Sequence, residues 1–425
     1  MLLRLGLLVL LLLAACKEKN SEYCQGHPDD VENCPPPDAG KCTRDDQCAG
    51  GVCDTTSSTC VQCTTEKAAA CTGTTPVCSA EHTCQGCTAH AQCTASNACL
   101  PDGSCATDTQ VAYVDSAGTD NTTCTKAMPC PLVKDALSTS RPYIKIAADG
   151  AALDSSTVTI DARAVTIVAE PGAKLDRNGD GAILEVRSAN ADVKIVDLEI
   201  TGASGAAGAD AILLTPNGGT PKLTLTRVKL TANQGAGISA TGGILTITKS
   251  AISNNGAGGI SLTATQFDIT NSLIVQNGLP GSLIGGVNFA TIGASGAHRL
   301  DFNTIAANNG TATVNTGVNC GTVAVPVTFS SNIIYGNTVA SGGKQLGGSV
   351  NCSASYSDIG PDAVSGTGNI SGDPLFVSPS TGNFHLQASS PARDTADPAA
   401  TLETDVDGDL RPQGSSRDIG ADEIK

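Results

Sequence analysis

Through the C-terminal three quarters of the chain, apolar residues alternate with polar ones in short stretches, and the stretches are self-similar. LTLTRVKLTANQG begins at Leu223, LTITKSAISNNG at Leu245 and FDITNSLIVQNG at Phe267, an offset of 22 residues each time. FNTIAANNG from Phe302 and VTFSSNIIYGN from Val327 continue the series with longer insertions, and VKIVDLEITG from Val193 and VTIVAEPG from Val165 precede it. Alternation over a few residues predicts half-buried strands. A period near 22 with Asn-Gly corners and no intervening helix predicts an all-β chain folded as a parallel β-helix, each rung donating strands to sheets that run along the axis. Residues such as Leu245 and Ile247 then point inward and stack on their counterparts in the next rung. Asn233, Asn255, Asn277, Asn309 and Asn337 recur at one corner, where asparagine can take a left-handed conformation and bond to the next rung. An antiparallel sandwich has no reason to keep that register.

Such a coil has two open ends, and bare strand edges invite aggregation. At the first, PCPLVKDALSTSRP places Leu132, Val133, Ala136 and Leu137 at helical spacing, with Pro131 suited to a first turn. A short helix is expected to plug the entrance, with a Cys124–Cys130 disulfide closing the loop before it and Cys320–Cys352 tying a late rung to the segment after it.

The cysteines change the picture upstream. Fourteen of the nineteen lie between Cys24 and Cys105. Three units of four begin at Cys42, Cys63 and Cys87, which leaves Cys24 and Cys34 to pair with each other. Cys60-x2-Cys63 and Cys84-x2-Cys87 have a zinc-ribbon spacing, but each pair straddles a boundary between units, and Cys71 and Cys78 intervene. Units this short cannot bury enough apolar surface to fold alone, so disulfides are expected in place of a core. Three pairings are open within each unit.

So many cysteines point to an oxidising compartment. The apolar run from Leu5 to Ala15 follows Arg4 and is shorter than the roughly 20 residues a membrane span needs, so it reads as a secretory signal. Leu13-Ala14-Ala15-Cys16 resembles the bacterial lipobox, which implies lipidation (palmitate included) of Cys16 as the first mature residue. Lys17 follows, not the aspartate that retains such lipoproteins at the inner membrane, so the expected place is the outer membrane, at the cell surface or on the periplasmic face. The organisation expected is a leader over 1–15, a polar stalk over 16–41, cysteine repeats over 42–106, the coil with its N-terminal cap over 107–371, and a capping region over 372–425. The net charge of −16 speaks against nucleic acid as a partner.

The end of the chain carries a family signature. GDPLFVSPSTGNFHLQASSPARDTAD from Gly372 and DVDGDLRPQGSSRDIGADE from Asp405 resemble the terminal region of right-handed parallel β-helix proteins of the choice-of-anchor Q type, within the pectin-lyase-like group. The matching positions are Asp373-Pro374, Phe376, Phe384, Leu386, Ser390-Pro391-Ala392, Asp394, Asp405, Asp407-Gly408, Arg411-Pro412 and Asp418 to Glu423. The cysteine repeats resemble those of myxobacterial surface lipoproteins. The resemblance implies a right-handed coil and a surface setting, and no particular reaction.

Chemistry is sparse along the rungs. Arg227, Lys249 and Asn271 share one register, with Asp197 at the matching place one rung earlier, but no acids accompany them in those rungs to hold calcium as a lyase would need. The rungs from 223 to 310 offer only Asp268 and Asp301 as the paired acids of a glycosidase. Without tryptophan, and with five Tyr and six Phe, the chain has little with which to stack sugars. DRNGDG from Asp176 opens like an EF-hand loop, but its twelfth position is Arg187, not Glu; it reads as a rung turn. Asp405, Asp407 and Asp409 alternate and are candidate calcium ligands, against a reading in which Asp405 or Asp407 pairs with Arg411 to cap the last rung. No catalytic residue or cofactor is assigned. The expectation is a non-catalytic, lipid-anchored protein that binds a glycan or another surface protein. The alternative is a polysaccharide lyase or hydrolase, which carboxylates beside Arg or Lys in a concave cleft would favour.

Overall fold

A computed structural model describes residues 41–425 apart from 178, 206–207, 294, 297, 311–315 and 339–343. The expected leader and stalk, with Cys16, Cys24 and Cys34, lie outside the described residues. Among the described residues two compact units are present, one holding 41–93 together with 99–105, the other 94–98 and 106–425.

In the first unit the sequence repeat becomes a structural one. A 3-10 turn (Asp45–Gln47, Thr65–Ala70 or His90–Gln92) precedes a two-stranded antiparallel pairing in each repeat. The pairing left open is first-to-third and second-to-fourth throughout: Cys42–Cys53 and Cys48–Cys60, Cys63–Cys78 and Cys71–Cys84, Cys87–Cys99 and Cys93–Cys105. A glutamine closes the turn twice. Gln47 Oε1 accepts from the Thr43 and Arg44 amides, and Gln92 Oε1 from the Thr88 and Ala89 amides.

The second unit is an all-β parallel solenoid of about eight turns. Three parallel sheets run along it, of eight, ten and eight strands among the described residues. The first sheet runs from Val158–Asp161 to Leu346–Gly348, the second from Val111–Val114 to Cys352–Ser355 and the third from Lys174–Leu175 to Asp358–Gly360. The predicted register is found: Leu223 pairs with Leu245 and Leu245 with Phe267, and all three are buried in one continuous core. Phe267, Phe289 and Phe329 stack inside it, with Phe267 and Phe289 ring centres 4.5 Å apart.

An asparagine ladder closes the corner after the third sheet. The Nδ2 of Asn233, Asn255, Asn277 and Asn308 each donates to the Oδ1 of the next asparagine along the coil, at 2.8 to 3.0 Å, ending at Asn337, which donates to Gln345. The expected member Asn309 is displaced by Asn308. The Asn-Gly corner was the wrong anchor, because Asn308 takes the place of Asn277 and Asn309 that of Gly278. A second ladder, unforeseen, closes the corner before the third sheet through Ser250, Ser272, Asn303, Asn332, Ser357 and Asn369.

At the entrance a short helix, α1 (Val133–Ser138), caps the coil as predicted, starting two residues after Pro131. Val133 and Ala136 enter the core, and Leu137 packs against it. Cys124 bonds Cys130 and Cys320 bonds Cys352. The terminal segment 372–425 is the stretch expected as a capping region. It runs back along the flank of the coil, where Leu386, Ala392, Ala396 and Ile419 cover Phe302 and Ile333, and Phe384 covers Val275 and Ala306. Those outward apolar side chains need a cover, and the segment's own apolar residues supply it. Among the described residues no helix is long and apolar enough to cross a membrane.

Candidate functional site

The turn between the second and third sheets places one residue per rung in the left-handed region: Asp197, Arg227, Lys249, Asn271, Phe302 and Ser331 have φ of 62°, 54°, 50°, 47°, 56° and 57°. These side chains form an outward column along the coil. The register of Asp197, Arg227, Lys249 and Asn271 read from the sequence is therefore real. The terminal segment divides it. Phe302 is buried beneath the segment with the Arg411 guanidinium 4.9 Å from its ring centre, and Asn271 Nδ2 donates to Thr404 O, 133 residues away, at 2.5 Å.

Where the segment ends, the column opens into a groove of about 440 Å³. Asp197, Arg227 and Lys249 line its floor, Glu199 and Lys229 one side, and His385 and Asp407 of the terminal segment the other. Arg227 is held bidentately by Asp197, at 2.6 and 2.8 Å, and this raises its pKa. Lys174 pairs with Glu199 at 3.1 Å. Lys249 has no such carboxylate partner among the described residues. Burial, and then the Arg227 charge, lowers its pKa, with Asp405 opposing. His385 Nε2 lies 2.7 Å from Asp407 Oδ2 and 4.0 Å from Asp422 Oδ1. Burial disfavours its charged form, but the Asp407 hydrogen bond and the surrounding carboxylates outweigh this and raise its pKa. Acids absent from the rungs themselves thus reach the basic column from a distant stretch of chain. Sequence spacing carried no signal for this.

The expected pairing of Asp407 or Asp405 with Arg411 is not found. Arg411 Nη1 lies 3.1 Å from Glu423 Oε2, both side chains fully buried, and the guanidinium also donates to Asp418 O and Gly420 O. Asp405 Oδ1 accepts from the Asp407 and Asp409 amides and Oδ2 from the Glu423 amide. The motif residues thus build a folded loop, not a lid on the last rung. Ligand atoms of Asp405, Asp407 and Asp409 do lie within 4.8 Å of one another, but the three are engaged differently: Asp405 by backbone amides, Asp407 by His385 and Asp409 by Lys425 at 2.9 Å. Asp268 and Asp301 are bridged by Arg299, at 4.0 and 2.8 Å.

No family model matches the chain, and no curated protein matches it. Among solved structures, the chain is similar to one described as the crystal structure of pectate lyase Pel9A, with 13% identity over 74% of this chain and 96% of that one and a TM-score of 0.41.

Proposed function

We propose that the chain is an exported protein, anchored to the outer membrane by lipid on Cys16, whose coil binds an acidic polysaccharide in the groove between Asp197 and Asp407. The uncommitted Lys249 amine on the groove floor carries this reading. It stands on a fixed rung and makes no salt bridge among the described residues, with Asp405 acting on it only at longer range, so a ligand carboxylate can pair with it directly, and charge-assisted bonds of that kind are the stronger ones. Asp197, Glu199, Asp407 and His385 around it can bond sugar hydroxyls. The disulfides of the first unit suit an oxidising compartment.

The test is a glycan array on the soluble chain, repeated with Lys249→Met. Wild type is expected to retain uronate-containing glycans and the variant to lose them. Because the Lys249 pKa is lowered, binding should weaken as pH rises through that lowered value, below the usual range for lysine. Equal retention by both proteins removes the groove from consideration. Fractionation of Cys16→Ser tests the anchor, and its persistence in the membrane pellet counts against lipidation.

One observation favours a second reading, in which the groove cleaves its ligand by elimination. An amine whose proton is loosened by burial and by Arg227 is suited to take the proton α to a uronate carboxylate as the glycosidic C–O bond at the β carbon breaks, the departing oxygen taking up a proton from solvent. Incubation with uronate polymers, followed by the ultraviolet absorbance of an unsaturated product, separates the two: binding without absorbance leaves the first reading alone.

A further inference from the structure

One side chain beneath the terminal segment is out of keeping with its surroundings. Asp358 begins the strand Asp358–Gly360 of the last rung. Ile359 points into the core of the coil, so strand alternation turns Asp358 outward. It stands beside Ile333 of the preceding rung and Ile370, which bridges to it. Those two isoleucines belong to the apolar layer that Phe376, Leu386 and Ile419 complete. Asp358 is 0% exposed, and neither of its carboxyl oxygens has a hydrogen-bond partner among the described residues. An ionised carboxylate there has nothing to offset the loss of its hydration. The titratable groups that face it are Asp373 on the terminal segment and Tyr335 on the neighbouring strand, and neither brings positive charge.

We infer that Asp358 is a proton-operated catch for the terminal segment: neutral, it lets the segment close over the last rungs, and ionised, it loosens that closure. Burial, reinforced by Asp373, raises the pKa of Asp358 from 3.8 to about 7. For an acid whose pKa is higher in the folded chain, the folded form holds the extra proton. The stabilisation is then complete below 3.8 and is lost as pH rises through about 7. Tyr335 and Asp373 also line a cavity of about 380 Å³ with Phe376 and Phe384, so the loosening acts on the wall of that cavity.

Thermal unfolding of the whole chain across this pH window tests the catch, comparing wild type with Asp358→Asn and Asp373→Asn. Proteolysis between residues 361 and 376 supplies a local readout, each variant being compared with wild type at the same pH. Wild type is expected to lose several degrees of melting temperature that Asp358→Asn keeps, and to become more readily cut in the segment as pH rises. Asp373→Asn should move the fall to lower pH, because removing a neighbouring negative charge lets Asp358 ionise sooner. Parallel pH profiles for wild type and Asp358→Asn overturn the proposal. Should Asp358→Asn fail to fold, an unshifted fall in Asp373→Asn overturns it instead.

Discussion

The two units solve the same problem by opposite means. In the first, the buried apolar residues are largely cysteines, Cys42, Cys48, Cys53, Cys63, Cys71, Cys87 and Cys93 among them, and among the described residues six disulfides tie short turns and hairpins together. In the second, two disulfides accompany a continuous core of Ile, Leu, Val and Phe that reaches from Val114 to Ile359. The contrast comes from geometry. A unit of about twenty residues has too much surface for its volume to bury a core, whereas each rung of a coil borrows its neighbours' apolar faces, so stability accumulates with length.

Reduction should break this comparison open with the largest effect. Losing native disulfides costs a small domain about 2–5 kcal/mol each and often abolishes folding. A thiol reductant is therefore expected to unfold the first unit completely while the coil keeps its β-sheet circular dichroism. Simultaneous loss of both signals would mean that the coil depends on its own two disulfides. Within the coil, Phe289→Ala removes the middle ring of the interior stack and should destabilise it by about 3–5 kcal/mol in denaturant unfolding. Arg411→Met sharpens the comparison by leaving Glu423 buried without its partner. The expected loss is about 3 kcal/mol, the lower end for a broken buried pair, because the methionine stem still packs on Phe302. It should appear as detachment of the terminal segment ahead of the coil. A smaller effect is expected from Asn277→Ala, about 1–3 kcal/mol for the amide partners left unpaired in the ladder. Asn309→Ala, outside the ladder, should be close to neutral.

These variants also mark what could be read in the chain beforehand. The strand register was legible because inward side chains repeat with the rung, and Leu223, Leu245 and Phe267 fall in line without any structure. The ladder was legible where rungs are equal and slipped by one residue where they are not. The steps from Asn255 to Asn277, Asn277 to Asn308 and Asn308 to Asn337 are 22, 31 and 29 residues. The second ladder was present as a recurring Ser or Asn two residues after each second-sheet strand from Ile244–Thr248 to Cys352–Ser355 (Ser250, Ser272, Asn303, Asn332, Ser357), a signal masked by mixed residue types. The groove was half legible. Asp197, Arg227 and Lys249 share a local period, but His385 and Asp407 reach them through a segment that folds back over outward-facing Phe302 and Ile333, and no periodicity encodes such a return. Arg411 was assigned a sequence neighbour, whereas the fold gives it Glu423.

The asparagine ladder bears on how such a chain changes over generations. Each amide speaks only to the rung on either side, so a rung can be duplicated or lost without renegotiating the others, and a longer rung is accepted as long as its asparagine returns to the corner. The step to Asn308 shows this, since it takes nine residues more than the one before it, 31 against 22, and keeps the same bond. Each added rung extends the coil by about 4.8 Å, the spacing of neighbouring strands. The coil is thus a ruler with removable graduations, and the reach of whatever it presents can be set in steps while Asp197, Arg227 and Lys249 of the groove floor stay on their own three rungs.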